Sequence, residues 1–256
     1  MDVYQEERLL AILKLLKEQG RVSVRELCDR FGISRDTARR DLVRLDEQGV
    51  ILRTRGGAIL RKLSGEVKSY KERLEAEPAG KREIGRIAAA LVRPGEHLIM
   101  DASTTVQAAA SFLEGEGITV VTNSIDIADI LVDREGVTVH LLGGRLHPRH
   151  RYVFGSTTVD QLRNYRVDRV FLGAGGVTGE GLFYPSEEDG SVIRETIRCA
   201  SEVVVLADAT KFDKRFFFRV CGWEDVDLLV TDRKPDQALL ESICQAGVEV
   251  KGWEKE

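Results

Sequence analysis

The sequence predicts an α/β protein with an N-terminal winged helix-turn-helix domain followed by a mostly parallel α/β domain. Three observations support this prediction. The first 60 residues contain helical apolar stripes and then a Gly-Gly hairpin signal, whereas the chain after residue 81 alternates apolar strands with helices. The charge changes as well: residues 35–62 hold 8 Lys and Arg against 4 Asp and Glu, whereas residues 81–256 hold 21 against 28.

The composition is that of a globular protein, with 43% hydrophobic and 31% charged residues among 256 and a net charge of −4. No apolar run approaches the roughly 18 residues that a membrane helix needs, and the N-terminus lacks a signal-peptide pattern. The four cysteines are scattered, without a C-x-x-C pair. We therefore expect a cytoplasmic protein without membrane contact, cofactor or structural metal.

The first domain, predicted over residues 1–60, begins with two helices. Apolar residues spaced i, i+3, i+4 and i+7 predict an amphipathic helix over residues 6–18, which Gly20 ends. The apolar residues of 24–31 predict a second, short helix that ends at Gly32.

A third helix and a hairpin complete this domain. Ser34 is the expected N-cap of a helix over residues 35–48. Residues 50–60 predict two short strands around the turn at Gly56 and Gly57. The apolar residues expected on the inward face of the third helix are Ala38, Leu42 and Leu45.

This order of elements is typical of a winged helix-turn-helix, in which the third helix enters the major groove of DNA. A basic helix alone is more often an ordinary solvated surface, and Arg39 and Arg44 have acidic neighbours on the helix, but the whole order favours DNA binding. One such helix reads too few base pairs, so we expect a dimer or tetramer. The expected contacts are Ser34, Arg35, Thr37, Arg39 and Arg40 on the helix, with Arg53 and Arg55 on the wing.

Residues 61–80 are polar and lack a core pattern, so we predict a linker there with a short helix around residues 70–76. The second domain is predicted over residues 81–256. Strands that alternate with helices predict a mostly parallel sheet covered on both faces. In such sheets ligands bind beyond the carboxyl ends of the strands.

Small and polar residues follow the predicted strands at that edge. Hydroxyls and free N–H groups at a helix start suit an anion such as phosphate, and Lys211 would add a positive charge. Each hydroxyl cluster alone is more often a helix cap, but their convergence favours a polar pocket. The expected ligand contacts are Asp101, Ser103, Thr104, Thr105, Asn123, Ser124, Gly143, Gly144, Gly173, Gly175, Asp208 and Lys211.

Several motifs carry a family resemblance. The stretches FGISRDTARRDL and R-x-x-GGA in the first domain, and IMDASTT, VVTNS, LLGGR, FLGAGGV and LADATKF in the second, resemble the DeoR family of bacterial regulators. The resemblance implies a sequence-specific transcriptional regulator that binds double-stranded operator DNA and represses a sugar-metabolism operon. A phosphorylated sugar or related metabolite would relieve repression. It implies that Ser103, Thr104 and Thr105 hold the phosphate, in a domain similar to ribose-5-phosphate isomerase.

Two residues depart from the family pattern, and each bears on the ligand. Ile193 stands where many members carry Lys, so the contact to phosphate is expected to change. Gly175 stands where members often carry a variable or acidic residue, which leaves the identity of the effector open.

The alternative function is a sugar-phosphate isomerase-like enzyme fused to a DNA-binding module. Isomerases of this fold place acidic residues in the turn that contains Gly173 and Gly175 here, so we predict no catalytic residue, although Asp101 and Asp208 keep this alternative open. The H-x-x-H of residues 147–150 is interpreted as an exposed basic loop and not as a metal site. Its neighbours that are candidates to approach an anionic effector are Arg145, Arg149 and Arg151.

Overall fold

The computed structural model describes residues 3–47, 51–60 and 67–253. The chain divides into two compact units, Met1–Lys62 and Leu63–Glu256. The predicted linker 61–80 therefore overlaps the second unit: residues 61–66 lie outside the described residues, whereas 67–80 belong to that unit. Within the described ranges, no helix has the length and apolar character needed to cross a membrane.

The first unit contains three helices and a three-stranded antiparallel sheet of order β1-β3-β2. The predicted helices and hairpin are confirmed. Strand β1 was not predicted, because three residues with one buried side chain give no detectable alternation. The elements are α1 (Val3–Gln19), β1 (Arg21–Ser23), α2 (Val24–Phe31), α3 (Arg35–Glu47), β2 (Ile51–Thr54) and β3 (Gly57–Leu60).

Local signals fix the ends of α2. Ser23 and Glu26 form a capping box, in which each side chain accepts a hydrogen bond from the backbone N–H of the other residue. At the other end Gly32 has a φ of 62°, a left-handed conformation that glycine adopts without a steric cost from a Cβ atom. The chain thereby turns sharply into α3.

The inward face of α3 is confirmed, since Ala38, Leu42 and Leu45 are all buried in the core of the first unit. Asp41 lies on the same helix and is also fully buried. Its carboxylate accepts hydrogen bonds from Arg8 of α1, with the Nε–Oδ2 distance 2.6 Å and the Nη2–Oδ1 distance 3.1 Å. This two-pronged ion pair joins α1 to α3, and no apolar periodicity signals it.

The second unit contains a seven-stranded parallel sheet of order β15-β14-β12-β9-β4-β5-β6. Helices cover both faces, as the two separate buried clusters above and below the sheet require. The strands are β4 (His97–Met100), β5 (Ile118–Thr122), β6 (Val137–Leu141), β9 (Val167–Leu172), β12 (Ala200–Leu206), β14 (Leu228–Val230) and β15 (Glu249–Lys251). The helices are α4 (Tyr70–Glu75), α5 (Pro78–Ala89), α6 (Thr104–Phe112), α7 (Ile125–Leu131), α8 (Ser156–Leu162), α9 (Glu187–Arg198) and α10 (Gln237–Gln245).

Two small antiparallel sheets stand outside the main sheet and were not predicted. They are the hairpin β7 (Arg145–His147) with β8 (Tyr152–Phe154), and the sheet β10 (Gly176–Thr178), β11 (Gly181–Tyr184) and β13 (Phe218–Cys221). Most of these strands have three residues, too few to show a periodic pattern. Helix α5 begins at Pro78, inside the predicted linker, because Pro is favoured at the first helical position.

Replacement of Arg8 by Ala is expected to destabilise the first unit by about 3 kcal/mol, because the buried Asp41 carboxylate would lose its counter-charge. Hydrogen exchange of α1 and α3 amides in the full chain measures this change. The matched control is Arg25→Ala, which removes an exposed pair of 3.9 Å to Asp29 and should cost less than about 0.5 kcal/mol. Equal exchange in the two variants would contradict a structural role for the Arg8–Asp41 pair.

Candidate nucleic-acid interface and ligand pocket

The start of α3 is organised by Ser34. Its Oγ accepts a hydrogen bond of 3.1 Å from the backbone N–H of Thr37, and the two hydroxyls share a further hydrogen bond of 2.9 Å. Ser34 is therefore the N-cap that the sequence predicts. The cap holds the first turn of α3, and Arg35, Arg39 and Arg40 stand exposed on that helix.

A concave surface lies between α3 and the turn of the β2–β3 hairpin. Four of the predicted DNA contacts line it, whereas Ser34, Thr37 and Arg40 do not. Arg25, from the start of α2, also lines it and was not predicted, because α2 does not form the recognition helix of the motif. We call this surface the arginine groove; its five arginines are Arg25, Arg35, Arg39, Arg53 and Arg55.

Among the described residues, no acidic side chain lines the groove. Arg39 lies 4.0 Å from Asp36, but both side chains are exposed, and such pairs contribute little. Arg44 of the same helix donates to Gln5 Oε1 at 2.6 Å. Guanidinium groups that converge on one concave surface supply positive charge suited to a phosphate backbone.

The second unit contains a cleft at the carboxyl edge of its parallel sheet, and we call it the pocket. The structure brings together eight of the twelve predicted ligand contacts there: Asp101, Ser103, Thr104, Thr105, Asn123, Gly173, Gly175 and Lys211.

The other four predicted contacts do not line the pocket, because each serves the local fold. Ser124 caps α7, accepting from Ile127 N at 3.3 Å, and Asp208 caps a short 3-10 helix at Ala209–Lys211. Gly143 and Gly144 follow the edge strand β6, where α8 covers them. The backbone N–H of Gly143 donates to Gln161 at 2.7 Å, and a Cβ at Gly144 would lie 2.2 Å from the Thr158 hydroxyl.

The floor of the pocket is the junction of β4 and β9. Gly173 N donates to the Asp101 carboxylate at 3.2 Å, and a Cβ at Gly173 would lie 2.2 Å from the Cβ of Ser103. Ser103 caps α6, accepting from Thr105 N at 3.2 Å. Burial raises the pKa of Asp101 to about 6, although the N–H groups of Gly173 and Ala102 and the charge of Arg73 oppose this.

Among the described residues, two cations line the pocket. Lys211 comes from the 3-10 helix. Burial lowers its pKa to about 8; the negative charge of Asp208 raises this pKa, and the positive charge of Arg73 lowers it further. Arg73 comes from α4, and its Nε is buried without a hydrogen-bond partner among the described residues. A buried, unpartnered guanidinium N–H is costly, so the site is suited to an anionic acceptor.

Arg73 was missed because it falls in the predicted linker. The capping box of Ser69 and Glu72 signals the helix that carries it, with Ser69 N donating to the Glu72 carboxylate at 2.8 Å. No sequence signal gives the direction of its side chain. Lys81 of α5 donates to the carbonyl oxygens of Arg73 and Ala76 and thereby fixes the end of α4.

The hairpin β7–β8 and the start of α9 form one wall of the pocket. Tyr152 of β8 donates to the Asp189 carboxylate at 2.6 Å, and Ser186 donates to its other oxygen at 2.7 Å. Tyr184 donates to the carbonyl oxygen of Gly173 at 2.6 Å. Burial and the charge of Arg73 lower the pKa of His150 to about 4, so its imidazole is neutral at pH 7.

The sequence predicts that residues 147–150 form an exposed loop, and this is wrong for the two histidines. His147 and His150 are half-buried beside this wall. Among the described residues, no three His, Cys, Asp or Glu side chains are grouped to hold a metal ion. The three arginines named with this loop do not line the pocket. Arg145 pairs with Glu188 at 2.6 Å, and Arg151 pairs with Asp126 at 2.9 Å.

Comparison with known families assigns both units. A model described as the DeoR-like helix-turn-helix domain matches residues 8–63. A model described as the DeoR C terminal sensor domain matches residues 76–233. The first model covers the arginine groove, and the second covers the pocket except for Val67 and Arg73, which lie between the two matched ranges.

Curated relatives match over nearly their whole length. The HTH-type transcriptional repressor GlcR of Bacillus subtilis is 45% identical over 248 residues, covering 97% of this chain and 96% of the relative. The HTH-type transcriptional regulator GlpR of Haloferax volcanii is 33% identical, with coverage of 95% and 96%. The glycerol-3-phosphate regulon repressor of Escherichia coli is 29% identical, with coverage of 96% and 98%.

Solved structures with a similar fold are more distant. The eIF2B beta of Chaetomium thermophilum has a TM-score of 0.45 at 16% identity, covering 66% of this chain and 54% of that one. The ribose 5-phosphate isomerase of Methanocaldococcus jannaschii has a TM-score of 0.36 at 18% identity, with coverage of 52% and 53%.

The buried carboxyl of Asp101 makes stability depend on pH. Its pKa is about 6 in the folded chain and near 3.8 when exposed, so its contribution to the free energy of unfolding is complete below pH 4 and is lost as the pH rises through 6. Asp101→Asn has no carboxyl group at this position to ionise. Its free energy of unfolding relative to that of wild type should therefore rise by up to about 3 kcal/mol between pH 4 and pH 7.5.

Thermal unfolding of both proteins across this pH range provides the measurement. The control is Asp168→Asn, because Asp168 is exposed and its pKa is lowered by a hydrogen bond from the His97 backbone N–H. That variant should not gain stability on wild type as the pH rises. A constant difference between wild type and Asp101→Asn across the pH range would contradict the raised pKa.

Proposed function

Because the chain belongs to the DeoR family of DNA-binding transcriptional regulators, we propose that it represses a sugar-metabolism operon and is released by a phosphorylated sugar or related metabolite. The observation that carries this proposal is the buried Nε of Arg73, which has no partner among the described residues and lines the same pocket as Lys211 and the start of α6. A phosphate group supplies the acceptors that these donors require. The names of relatives such as the glycerol-3-phosphate regulon repressor support the proposal.

The proposed DNA-bound form is a dimer or tetramer in the cytoplasm, in which two arginine grooves face successive half-sites of the operator. Ser34 would start the recognition helix at the edge of the major groove. Arg35 and Arg39 would reach base edges or phosphates, and Arg53 and Arg55 of the wing would contact the backbone. Thr37 and Arg40 remain candidate contacts outside the groove lining.

The effector would act only through a difference between its affinities for the DNA-bound and the free forms. We propose that α4 is the element whose contact with the effector differs between these two forms. No residue of α4 is buried as a whole. The contacts that attach the helix include the Tyr70 hydroxyl, which donates to Gln107 at 2.6 Å, the Tyr70 backbone N–H, which donates to the Arg149 carbonyl oxygen at 3.2 Å, and Lys81. A phosphate bound to Arg73 would add a further attachment to a helix that follows directly on the segment joining the two units.

Isomerase activity is the weaker candidate. The turn at Gly173 and Gly175 carries no carboxylate, and the two acids that line the pocket, Asp101 and Asp189, already accept hydrogen bonds from within the fold. We therefore expect no turnover of ribose 5-phosphate by the purified chain. Measurable isomerisation that is lost in Asp101→Asn would favour the enzyme instead.

Arg39→Ala is expected to weaken operator binding at least 10-fold, because Arg39 contributes to the arginine groove. The probe is a double-stranded operator selected by the wild-type protein from a random-sequence library, and the measurement is its dissociation constant at fixed salt. Lys14→Ala is the matched control, since Lys14 is exposed on α1 outside the groove. Equal affinities of the two variants would contradict the proposed interface.

Arg73→Gln is expected to leave operator affinity intact and to raise at least 10-fold the effector concentration that releases DNA, since the phosphate would lose a charged partner. The assay titrates a panel of pentose and hexose monophosphates against the protein–operator complex. Arg93→Gln, which changes an exposed arginine outside the pocket, is the control. Normal release from Arg73→Gln, or release of wild type by no member of the panel, would contradict the effector proposal.

A further inference from the structure

We propose that the pocket selects a ligand with a single phosphate and an uncharged remainder, and that Ile193 of α9 is a residue that excludes a second phosphate. This inference rests on the proposed function, because it specifies the effector of the same pocket. It is carried by the distribution of charged and apolar side chains around the pocket walls.

The positive charges that line the pocket are few. Among the described lining residues they are Arg73 and Lys211, and His150 adds none because its imidazole is neutral at pH 7. Two carboxyl groups, Asp101 and Asp189, line the same pocket. One phosphate dianion would therefore use both cations, and a second would find no cation among these residues.

Helix α9 contributes a wall without positive charge. Val192 and Ile193 are each 4% exposed and line the pocket together with Phe154. Arg194 follows on the chain but points elsewhere: it donates to the carbonyl oxygens of Val220 and Arg219, each at 2.8 Å, and stacks on Phe218. The wall is therefore apolar where Ile193 stands.

The first turn of α9 makes this wall unfavourable for an anion. Its three acidic residues are Glu187, Glu188 and Asp189, and the last of these faces the pocket. A phosphate here would meet a carboxylate and lose its hydration against Ile193 without a compensating hydrogen bond. A hydroxyl or amide of an uncharged remainder would instead donate to Asp189, whose oxygens can accept more bonds than those from Tyr152 and Ser186.

Matched pairs of sugar phosphates test this inference on the full chain. The pairs are glucose 6-phosphate with glucose 1,6-bisphosphate, fructose 6-phosphate with fructose 1,6-bisphosphate, and ribose 5-phosphate with ribose 1,5-bisphosphate. Calorimetric titration at pH 7.5 should show wild type preferring the monophosphate at least 10-fold in every pair that binds. Inorganic phosphate, titrated in parallel, reports on the anion site alone.

Variants at the wall test the role of Ile193. Ile193→Lys adds a cation and should reduce the preference for the monophosphate at least 10-fold, whereas the control Ile193→Leu should keep it. Because a buried lysine can impair folding, Asp189→Asn serves as a second variant, which removes a negative charge and should reduce the same preference. Thermal unfolding verifies that each variant is folded.

The outcomes separate this inference from the proposed function. If wild type binds a bisphosphate as tightly as its monophosphate, or if neither Ile193→Lys nor Asp189→Asn changes the preference, the inference is wrong while the effector proposal stands. If neither inorganic phosphate nor any sugar phosphate binds wild type, the proposed function fails, and the inference fails with it.

Discussion

Strands β4 and β9 lie side by side in the parallel sheet, and the chain leaves them so close together that Gly173 and Ser103 exclude any side chain between them. The backbone N–H of Gly173 donates to Asp101 across this junction. The junction sets where α6 begins, because Ser103 caps that helix, and it buries the Asp101 carboxyl beneath the pocket. The positions of the Ser103 cap and of the Asp101 carboxyl in the pocket therefore depend on this close approach.

Charge is distributed according to task in the two units. The net charge of −4 averages a basic segment, residues 35–62, with an acidic C-terminal part, residues 81–256. In the first unit five exposed arginines share one concave surface, whereas the buried Asp41 is paired with Arg8. In the pocket of the second unit Arg73 and Lys211 are balanced by two carboxyl groups. Because phosphate binding displaces counterions, DNA affinity should respond to salt through the first unit.

The sequence predicts the parts of the site that follow from strand order. Asp101, Ser103 and Gly173 were expected because the carboxyl ends of parallel strands meet at one edge. The same reasoning also selected Ser124 and Asp208, which cap helices and do not line the pocket, since capping a helix and binding a ligand call for the same residue types.

Other parts of the site depend on tertiary packing that no local pattern reports. Arg73 reaches the pocket from a helix that reads as polar linker, and the hairpin β7–β8 is too short to show alternation. The most direct test of the account is a closed thermodynamic cycle. The effector should weaken operator binding by the same factor by which the operator weakens effector binding, because coupling is reciprocal. Equal operator affinity with and without saturating effector would contradict the account.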